Sequence, residues 1–421
     1  MLAVFAWFGA QQLIMAMLFS WFFIMLNPGI SPGETVGAEK YLVFISSALS
    51  TIFRSLFVSS ISGVDGVTLR KETFSLILVL FLVVIHSLVL SYYPILSSLK
   101  AIIFVVVFCT IFSAWSSLSP EQRVSLRLEI LLFLCSVIFI SLFLLGSPVG
   151  YLANGSGFQG ILNQPQVFGV TVALASIMIF PRIFNKRKNL RWWLIISIFS
   201  VLIFLSEARI AGFSVFFAVV STILIFMFKS RRRINVEFRG LGSSSSTFVI
   251  VLLAVIVSVN FSFITSEASQ YFSKGGRDGD VENIAEAFIE SRGFLMLRMF
   301  NNIVEHPFLG IGFGVDSFPE TMAIVVDPVL GVPISAPVEK GVLPLAIIEE
   351  FGMVMGGVIF IFLFMALCRG YRAGLWGMSL VFFTYFVNMG EAMLFSPGGM
   401  GLLVITIFCG VLASWRDGKK I

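Results

Sequence analysis

Apolar runs of about 20 residues recur along this chain, and each run is long enough to cross the hydrocarbon core of a bilayer. Only 12% of the 421 residues are charged, 58% are hydrophobic, and the mean hydropathy is +0.99. Soluble proteins carry about 25% charged residues, so this composition argues against a soluble protein. We therefore predict an all-α polytopic membrane protein that forms a single integral membrane domain over residues 1–421.

The apolar runs predict about twelve transmembrane helices, at 4–27, 41–62, 73–92, 99–118, 127–146, 165–184, 192–207, 208–228, 247–266, 343–367, 373–390 and 392–414. Lys and Arg are concentrated in alternate loops, including RIFNKRKNLR and KSRRRINVEFR, as is typical of cytoplasmic loops. Both termini are therefore predicted to be cytoplasmic. These basic loops account for the sequence pI near 9.1, so no nucleic-acid partner is expected.

One predicted extracytoplasmic loop, residues 267–342, is long and holds nearly half of the 23 acidic residues. Within it lies SRGFLMLRMFNNIVEHPFLGIGFG, residues 291–314. The periodicity over 283–305 predicts an amphipathic helix, which Pro307 and the glycines after it would end. The loop is thus expected to hold a folded segment packed on the outer face of the membrane.

The two arginines of this amphipathic helix are predicted to lie on different faces. Arg292 falls on the apolar stripe, together with Met296, Met299 and Ile303. Arg298 falls on a face that we expect to be solvated, together with Ser291, Asn301, Asn302 and Glu305. A guanidinium on an apolar stripe needs an anionic partner, so Arg292 is a candidate site residue.

Charged residues at the edge of a bilayer are costly and frequently mark a functional site. On the predicted outer side, Arg209 begins the eighth span, Glu349 and Glu350 lie about two turns into the tenth, and Glu391 lies in the last hairpin. Arg209 and Arg292 together would suit a diphosphate, which guanidinium groups bind bidentately. The alternative is that these charges only hold helices together, with Arg292 paired to Glu349 or Glu350.

Four segments resemble those of the O-antigen ligase and polymerase superfamily of bacterial envelope glycosyltransferases, in the same order within residues 150–367. They are GFQGILNQPQVFGVTVAL, SEARIAGFSV, RGFLMLRMFNNIVEHPFLGIGFG and LPLAIIEEFGMVMGGVIF. The resemblance matches Arg209 and Arg292 to the family's arginines and matches the closing turn to Pro307, Gly310 and Gly312. Met296 stands where the family has a tryptophan.

The chain departs from the ligase branch of the superfamily at one position. That branch carries a histidine just before the last of these helices, but the corresponding stretch here is APVEKGVLPLAIIEE. Glu339 and Lys340 occupy the region instead. The departure argues against a standard lipid A–core ligase and favours a polymerase, or a branch in which a carboxylate takes the role of the histidine.

The resemblance implies a GT-C-like inverting glycosyltransferase that uses an undecaprenyl-diphosphate-linked oligosaccharide as donor. It would polymerise repeat units of O-antigen, capsule or exopolysaccharide at the outer face of the bacterial inner membrane. Arg209 and Arg292 would bind the leaving diphosphate, and Glu339, or else Glu349, would deprotonate the acceptor. Substrate-binding roles are expected for Arg298, Lys340, Glu350 and Asn163.

No nucleotide sugar, metal or other cofactor is required by such a reaction. The expected partners are membrane lipid and, in the same pathway, a flippase and a chain-length regulator. Ligase-type transfer to another acceptor remains an alternative. A non-enzymatic flippase of lipid-linked glycans would need a charged central cavity, and an ion-coupled secondary transporter would need midplane polar residues and, usually, broken helices.

Overall fold

The computed structural model describes residues 1–31, 36–58, 71–183, 190–230, 284–326, 333–336, 338 and 340–414, and these ranges are mostly helical. The α-helices are α1 (Leu2–Phe5), α2 (Ala10–Ile24), α3 (Val36–Phe53), α4 (Lys71–Leu90), α5 (Pro94–Ser117), α6 (Pro120–Leu142), α7 (Pro165–Ile183), α8 (Leu190–Leu205), α9 (Arg209–Ser230), α10 (Ile284–Glu305), α11 (Leu343–Arg372), α12 (Gly374–Val387) and α13 (Met400–Ala413). A π-helical turn covers Arg54–Val58, and 3-10 turns cover Pro148–Tyr151 and Pro319–Thr321.

Within the described ranges, the β-structure is one short antiparallel pair of strands. It joins β1 (Val325–Val326) to β2 (Pro333–Ser335), with Val325 opposite Ser335.

Five helices in the described part of the chain are long and apolar enough to cross a membrane: α5, α6, α7, residues 209–226 of α9, and α11. Shorter apolar helices accompany them, including α2, α12 and α13. The helices carry the apolar composition expected of a membrane-embedded protein. The twelve-span topology and the cytoplasmic termini remain predictions, and the ninth predicted span, 247–266, lies outside the described residues.

The centre of the helix bundle is formed by α7 and α13, whose residues are buried on nearly every side. A helix that is apolar all round belongs in the interior, and both sequences have that character. The indole Nε1 of Trp115 on α5 donates to the carbonyl of Thr406 on α13 at 2.9 Å. Its ring packs where Gly410 leaves room, since a β-carbon there would lie 2.9 Å away.

One predicted helix agrees closely with the structure, and another begins later than predicted. The amphipathic helix predicted at 283–305 is confirmed as α10, Ile284–Glu305. In the last predicted span, 392–414, the helix begins only at Met400. The sequence Ser396-Pro397-Gly398-Gly399 explains the late start, because proline and glycine favour turns over helix.

Candidate functional site

The site is organised by a break in α11. Gly352 has φ +67° and ψ −179°, so the helix is interrupted there although the sequence predicts one continuous span over 343–367. The second half, residues 353–372, is about 30 Å long and can cross a bilayer by itself. Arg369 and Arg372 lie in its last turn. The break therefore lies at the opposite end of this second half from the two arginines.

Residues 307–314, which we call the docking turn, fill this break. Three backbone hydrogen bonds join the turn to α11: Ile311 N–H to Glu349 O at 2.8 Å, Gly312 N–H to Glu350 O at 3.0 Å, and Met353 N–H to Pro307 O at 2.8 Å. Broken helices leave backbone groups without intrahelical partners, and such groups must be satisfied when water is absent. The docking turn supplies those partners.

Three glycines allow the docking turn to approach its neighbours so closely. Gly310, Gly312 and Gly314 have φ values of +68°, +110° and +65°, which L-residues rarely adopt. A β-carbon on these glycines would lie 2.6 Å from the Glu350 backbone, 2.1 Å from Ser91 Oγ and 2.8 Å from Lys100 Cδ, respectively. The GIGFG sequence thus forms a turn against α11 and against the α4–α5 corner.

A buried carboxylate lies immediately before the break. Glu349 is fully buried, and its carboxylate is ion-paired with the ammonium group of Lys340. It also accepts hydrogen bonds from Asn302 Nδ2 at 2.7 Å and from Ser317 Oγ at 3.1 Å. Asn302 belongs to α10, so Glu349 joins α10, α11 and the segments that carry Ser317 and Lys340. With three donors, both oxygens of this carboxylate are satisfied.

Glu350 and Lys100 extend this buried charge cluster towards α5. Glu350 lies 4.0 Å from Lys340 Nζ and receives the backbone N–H of Gly314. Lys100 interacts electrostatically with Glu350, and its ammonium donates to the carbonyls of Gly314 at 2.7 Å and Ala336 at 3.2 Å. The cluster therefore contains two basic and two acidic side chains, so that each buried group has one of opposite charge to offset its desolvation.

Arg298 is held by a neighbouring turn. Its Nε donates to Ser317 O at 3.1 Å, and its Nη2 lies 3.1 Å and 3.3 Å from the two oxygens of Glu320. The guanidinium also lies over the Phe318 ring, 5.5 Å from its centroid. These contacts engage Arg298 with the protein, so the substrate-binding role that we expect for it would require them to open.

Asn302 is a correction to the sequence analysis. It was expected on a solvated face with Arg298, but it is 3% exposed and bonded to Glu349 and to the carbonyl of Ser317. The physical reason is that the buried carboxylate on α11 draws the amide inwards. Met299 and Ile303, expected on the apolar stripe, are buried as predicted.

Arg209 is the first residue of α9 and follows a tight turn. Glu207 in this turn has φ +53°, and its carboxylate accepts from Ser156 Oγ at 3.1 Å. Nearby, the N–H of Phe158 donates to Leu205 O at 2.8 Å. The turn before Arg209 therefore packs on the segment that precedes α7.

Asn163 lies just before α7. Its backbone N–H donates to Met25 O at 2.8 Å, beside a bridge between Leu26 and Leu162. Its side-chain Oδ1 is buried and has no hydrogen-bond partner among the described residues. An acceptor in this position is available to a hydroxyl or an amide donor.

The loop between α12 and α13 contacts both the start of α9 and the segment that carries Lys340. Gly390 packs on Ile210, next to Arg209, so closely that a β-carbon would lie 2.4 Å from it. The N–H of Ala392 donates to Lys340 O at 3.1 Å. Residues 388–392, which include Glu391, thus lie between the start of α9 and the buried charge cluster.

Four of the predicted site residues therefore form one connected set, two lie apart from it, and the side chains of the other two lie outside the described structure. Arg298, Lys340, Glu349 and Glu350 form one connected set, and Arg209 lies across the 388–392 loop from it. Asn163 lies apart, against Met25. Arg292 belongs to α10, but its side chain lies outside the described part of the structure, as does all of Glu339.

Sequence reasoning missed three members of the cluster: Lys100, Asn302 and Ser317. Lys100 had a usable signal, because a lysine inside the apolar run LSSLKAIIFVVVF is costly unless it is paired. Ser317 gave no such signal, because serine is common in loops and its sequence position does not indicate burial.

Neither a protein-family model nor a curated protein matches this chain.

Proposed function

We propose that the protein is a membrane glycosyltransferase that polymerises lipid-diphosphate-linked glycan repeat units, as members of the O-antigen ligase and polymerase superfamily do. The observation that carries the proposal is the meeting of the four resembling segments. Segments one and two meet where Gly169 packs on Ala208, since a β-carbon on Gly169 would lie 2.2 Å from the Ala208 side chain. Segments three and four join through the docking turn. The 388–392 loop touches both pairs, so residues far apart in sequence surround one region.

In this proposal the arginines act on the leaving group. The acceptor hydroxyl oxygen attacks the anomeric carbon of the donor, and the bond from that carbon to the diphosphate oxygen breaks. Arg209 and Arg292 stabilise the negative charge that develops on the diphosphate. The acceptor proton passes to a carboxylate, and the lipid diphosphate leaves with the bonding electrons.

The surroundings of Glu349 support assigning the proton-accepting role to Glu339. A general base needs a free lone pair within reach of the acceptor hydroxyl. The Glu349 carboxylate is fully buried and already accepts from Lys340, Asn302 and Ser317. Glu349 is better suited to fixing the segment before α11, of which Glu339 is a part.

A secondary transporter is the second candidate, because α11 is broken beside two buried carboxylates, as transporter helices often are. In transporters such breaks lie near the bilayer midplane. Here residues 353–372 are long enough to cross the membrane without the first half of the helix. A break near one membrane face supports a site that opens to that face, and so favours the transferase.

The test is complementation of a gene deletion in the source bacterium, scored by the length of its surface polysaccharide. Arg209→Lys and Arg292→Lys, at wild-type membrane levels, are expected to leave single repeat units. Arg182→Lys is the matched control, because Arg182 lies in the last turn of α7 over the Trp192 ring, outside the site. Full-length polysaccharide from both site variants would refute the proposal. Complete loss of attached glycan, with long chains still made, would indicate a ligase.

A further inference from the structure

One side of α10 carries a row of exposed apolar side chains. They are Leu297, Phe300 and Val304, and each has more than half of its surface exposed. The spacing of three to four residues places them along one face of the helix. The opposite face, with Met299 and Ile303, is buried against the protein. A helix that is apolar on both sides is unusual in a loop exposed to water.

The exposed row continues onto the membrane-embedded helices. Phe308 and Leu309, which follow α10, are also exposed, and the Leu309 carbonyl accepts from His86 Nε2 on α4 at 2.7 Å. Beside them, α4 exposes Ile85 and Val89, and α11 exposes Met353 and Val354 directly after its break. Lipid would cover these surfaces of both helices. One continuous apolar surface therefore runs from these helices to α10.

A third side of α10 is polar. Asn301 and Glu305 are exposed, and Arg298 reaches Glu320, whose side chain is 69% exposed. The helix thus has one side on protein, one apolar side and one polar side. Amphipathic helices that lie in the plane of a membrane interface divide their surface in this way.

We propose that α10 lies flat in the lipid–water interface, with Leu297, Phe300 and Val304 inserted among the lipid acyl chains near the headgroups. The partner is the bilayer itself, chosen because the exposed row is continuous with the lipid-facing surface of α4 and α11. The inference does not depend on glycosyl transfer, since it concerns the contacts of α10 alone.

The test is depth-dependent fluorescence quenching in the full-length protein. Cys109, Cys135, Cys368 and Cys409 are replaced by alanine, and a polarity-sensitive fluorophore is attached to Leu297→Cys, Val304→Cys or Glu305→Cys. The protein is reconstituted in phosphatidylethanolamine–phosphatidylglycerol vesicles that contain lipid spin-labelled at a shallow or a deep acyl carbon. Glu305→Cys is the matched control, because it lies on the polar side of the same helical turn as Val304.

Probes at positions 297 and 304 are expected to show blue-shifted emission and quenching several-fold stronger than at 305, with the shallow label the more effective at both. Absent quenching at 297 would overturn the proposal. Quenching at 304 alone would overturn it too, because α10 would then rise out of the membrane. A photo-crosslinking residue in place of Leu297, in the chain with its native cysteines, should yield lipid adducts. Adducts to a second copy or to another protein would refute the inference.

Discussion

The carbonyl oxygen of Phe308 lies against the backbone of Gly352, where a β-carbon would be only 2.1 Å away from it. The docking turn therefore occupies the gap in α11 at van der Waals contact. Gly352 is required for two reasons, since its φ of +67° is also disfavoured for any other residue. The break in α11 and the position of the docking turn are consequently one structural feature.

Gly352→Ala is expected to destabilise the protein. This extended backbone with positive φ is nearly restricted to glycine and costs an alanine about 1–3 kcal/mol. The clash with Phe308 must in addition displace the docking turn. The melting temperature of the purified protein in detergent measures the effect. Gly357→Ala is the matched control, because a β-carbon there meets nothing within 4 Å in the same helix. Equal melting temperatures for the two variants would contradict this account of the break.

Breaking the buried ion pair is expected to be more damaging. Lys340→Met leaves the Glu349 carboxylate buried without its cation, a loss of about 3–5 kcal/mol, and Glu349→Gln strands Lys340 in the same way. The double variant should recover part of the loss, because neither charge is then unpaired. A double-mutant cycle on thermal or denaturant unfolding gives the coupling energy.

The exposed pair of Arg298 and Glu320 is the control for this cycle. Their side chains are 28% and 69% exposed, so water and salt screen them, and Glu320→Gln should cost less than about 1 kcal/mol. A coupling energy between Lys340 and Glu349 as small as this would show that the buried cluster is not an organising element.

Adjacent asparagines on α10 should respond differently to the same substitution. Asn302→Leu removes the amide that donates to Glu349 and Ser317, and leaves two buried acceptors short of a donor, a cost of about 1–3 kcal/mol. Asn301 is exposed, so Asn301→Leu should change stability by about 0.5 kcal/mol or less. Unfolding of the two variants in parallel checks the prediction, and a larger loss for Asn301→Leu would reverse the assignment of faces.

The helical architecture was largely predictable because long apolar runs have few other ways to satisfy their backbone in lipid. The same reasoning found α10 from its periodicity. It failed at Gly352, because EEFGMVMGG is compatible with a continuous helix and one glycine costs a helix only about 1 kcal/mol. The break depends on the docking turn, which lies some 40 residues earlier and pairs with α11 only in the folded protein.

Three of the four charged residues of the buried cluster, Lys340, Glu349 and Glu350, were predictable from the sequence, but Lys100 and the pairing of the charges were not. Glu349 and Glu350 are conspicuous in an apolar span, and the sequence offers Arg292 as a counter-ion. The structure pairs them with Lys340 and Lys100, and the side chain of Arg292 lies outside its described part. A helical wheel divides a helix into one apolar and one solvated face, whereas α10 has a side on protein, an exposed apolar side and a polar side. Asn302 was therefore assigned to the solvated face although it is buried. Long-range pairing of this kind follows from tertiary packing, which local periodicity does not encode.

The two candidate bases should separate when activity and stability are measured together. Glu339→Gln is expected to abolish polymerisation while leaving the melting temperature unchanged, because it removes a proton acceptor. Glu349→Gln should lower the melting temperature, and its remaining activity should follow the amount of folded protein, because it removes an ion pair. Polysaccharide length and melting temperature, read from the same membrane preparations, test both. If Glu339→Gln retains full-length polysaccharide, and Glu349→Gln is inactive although folded, Glu349 would be the base and would have to leave Lys340 during the reaction.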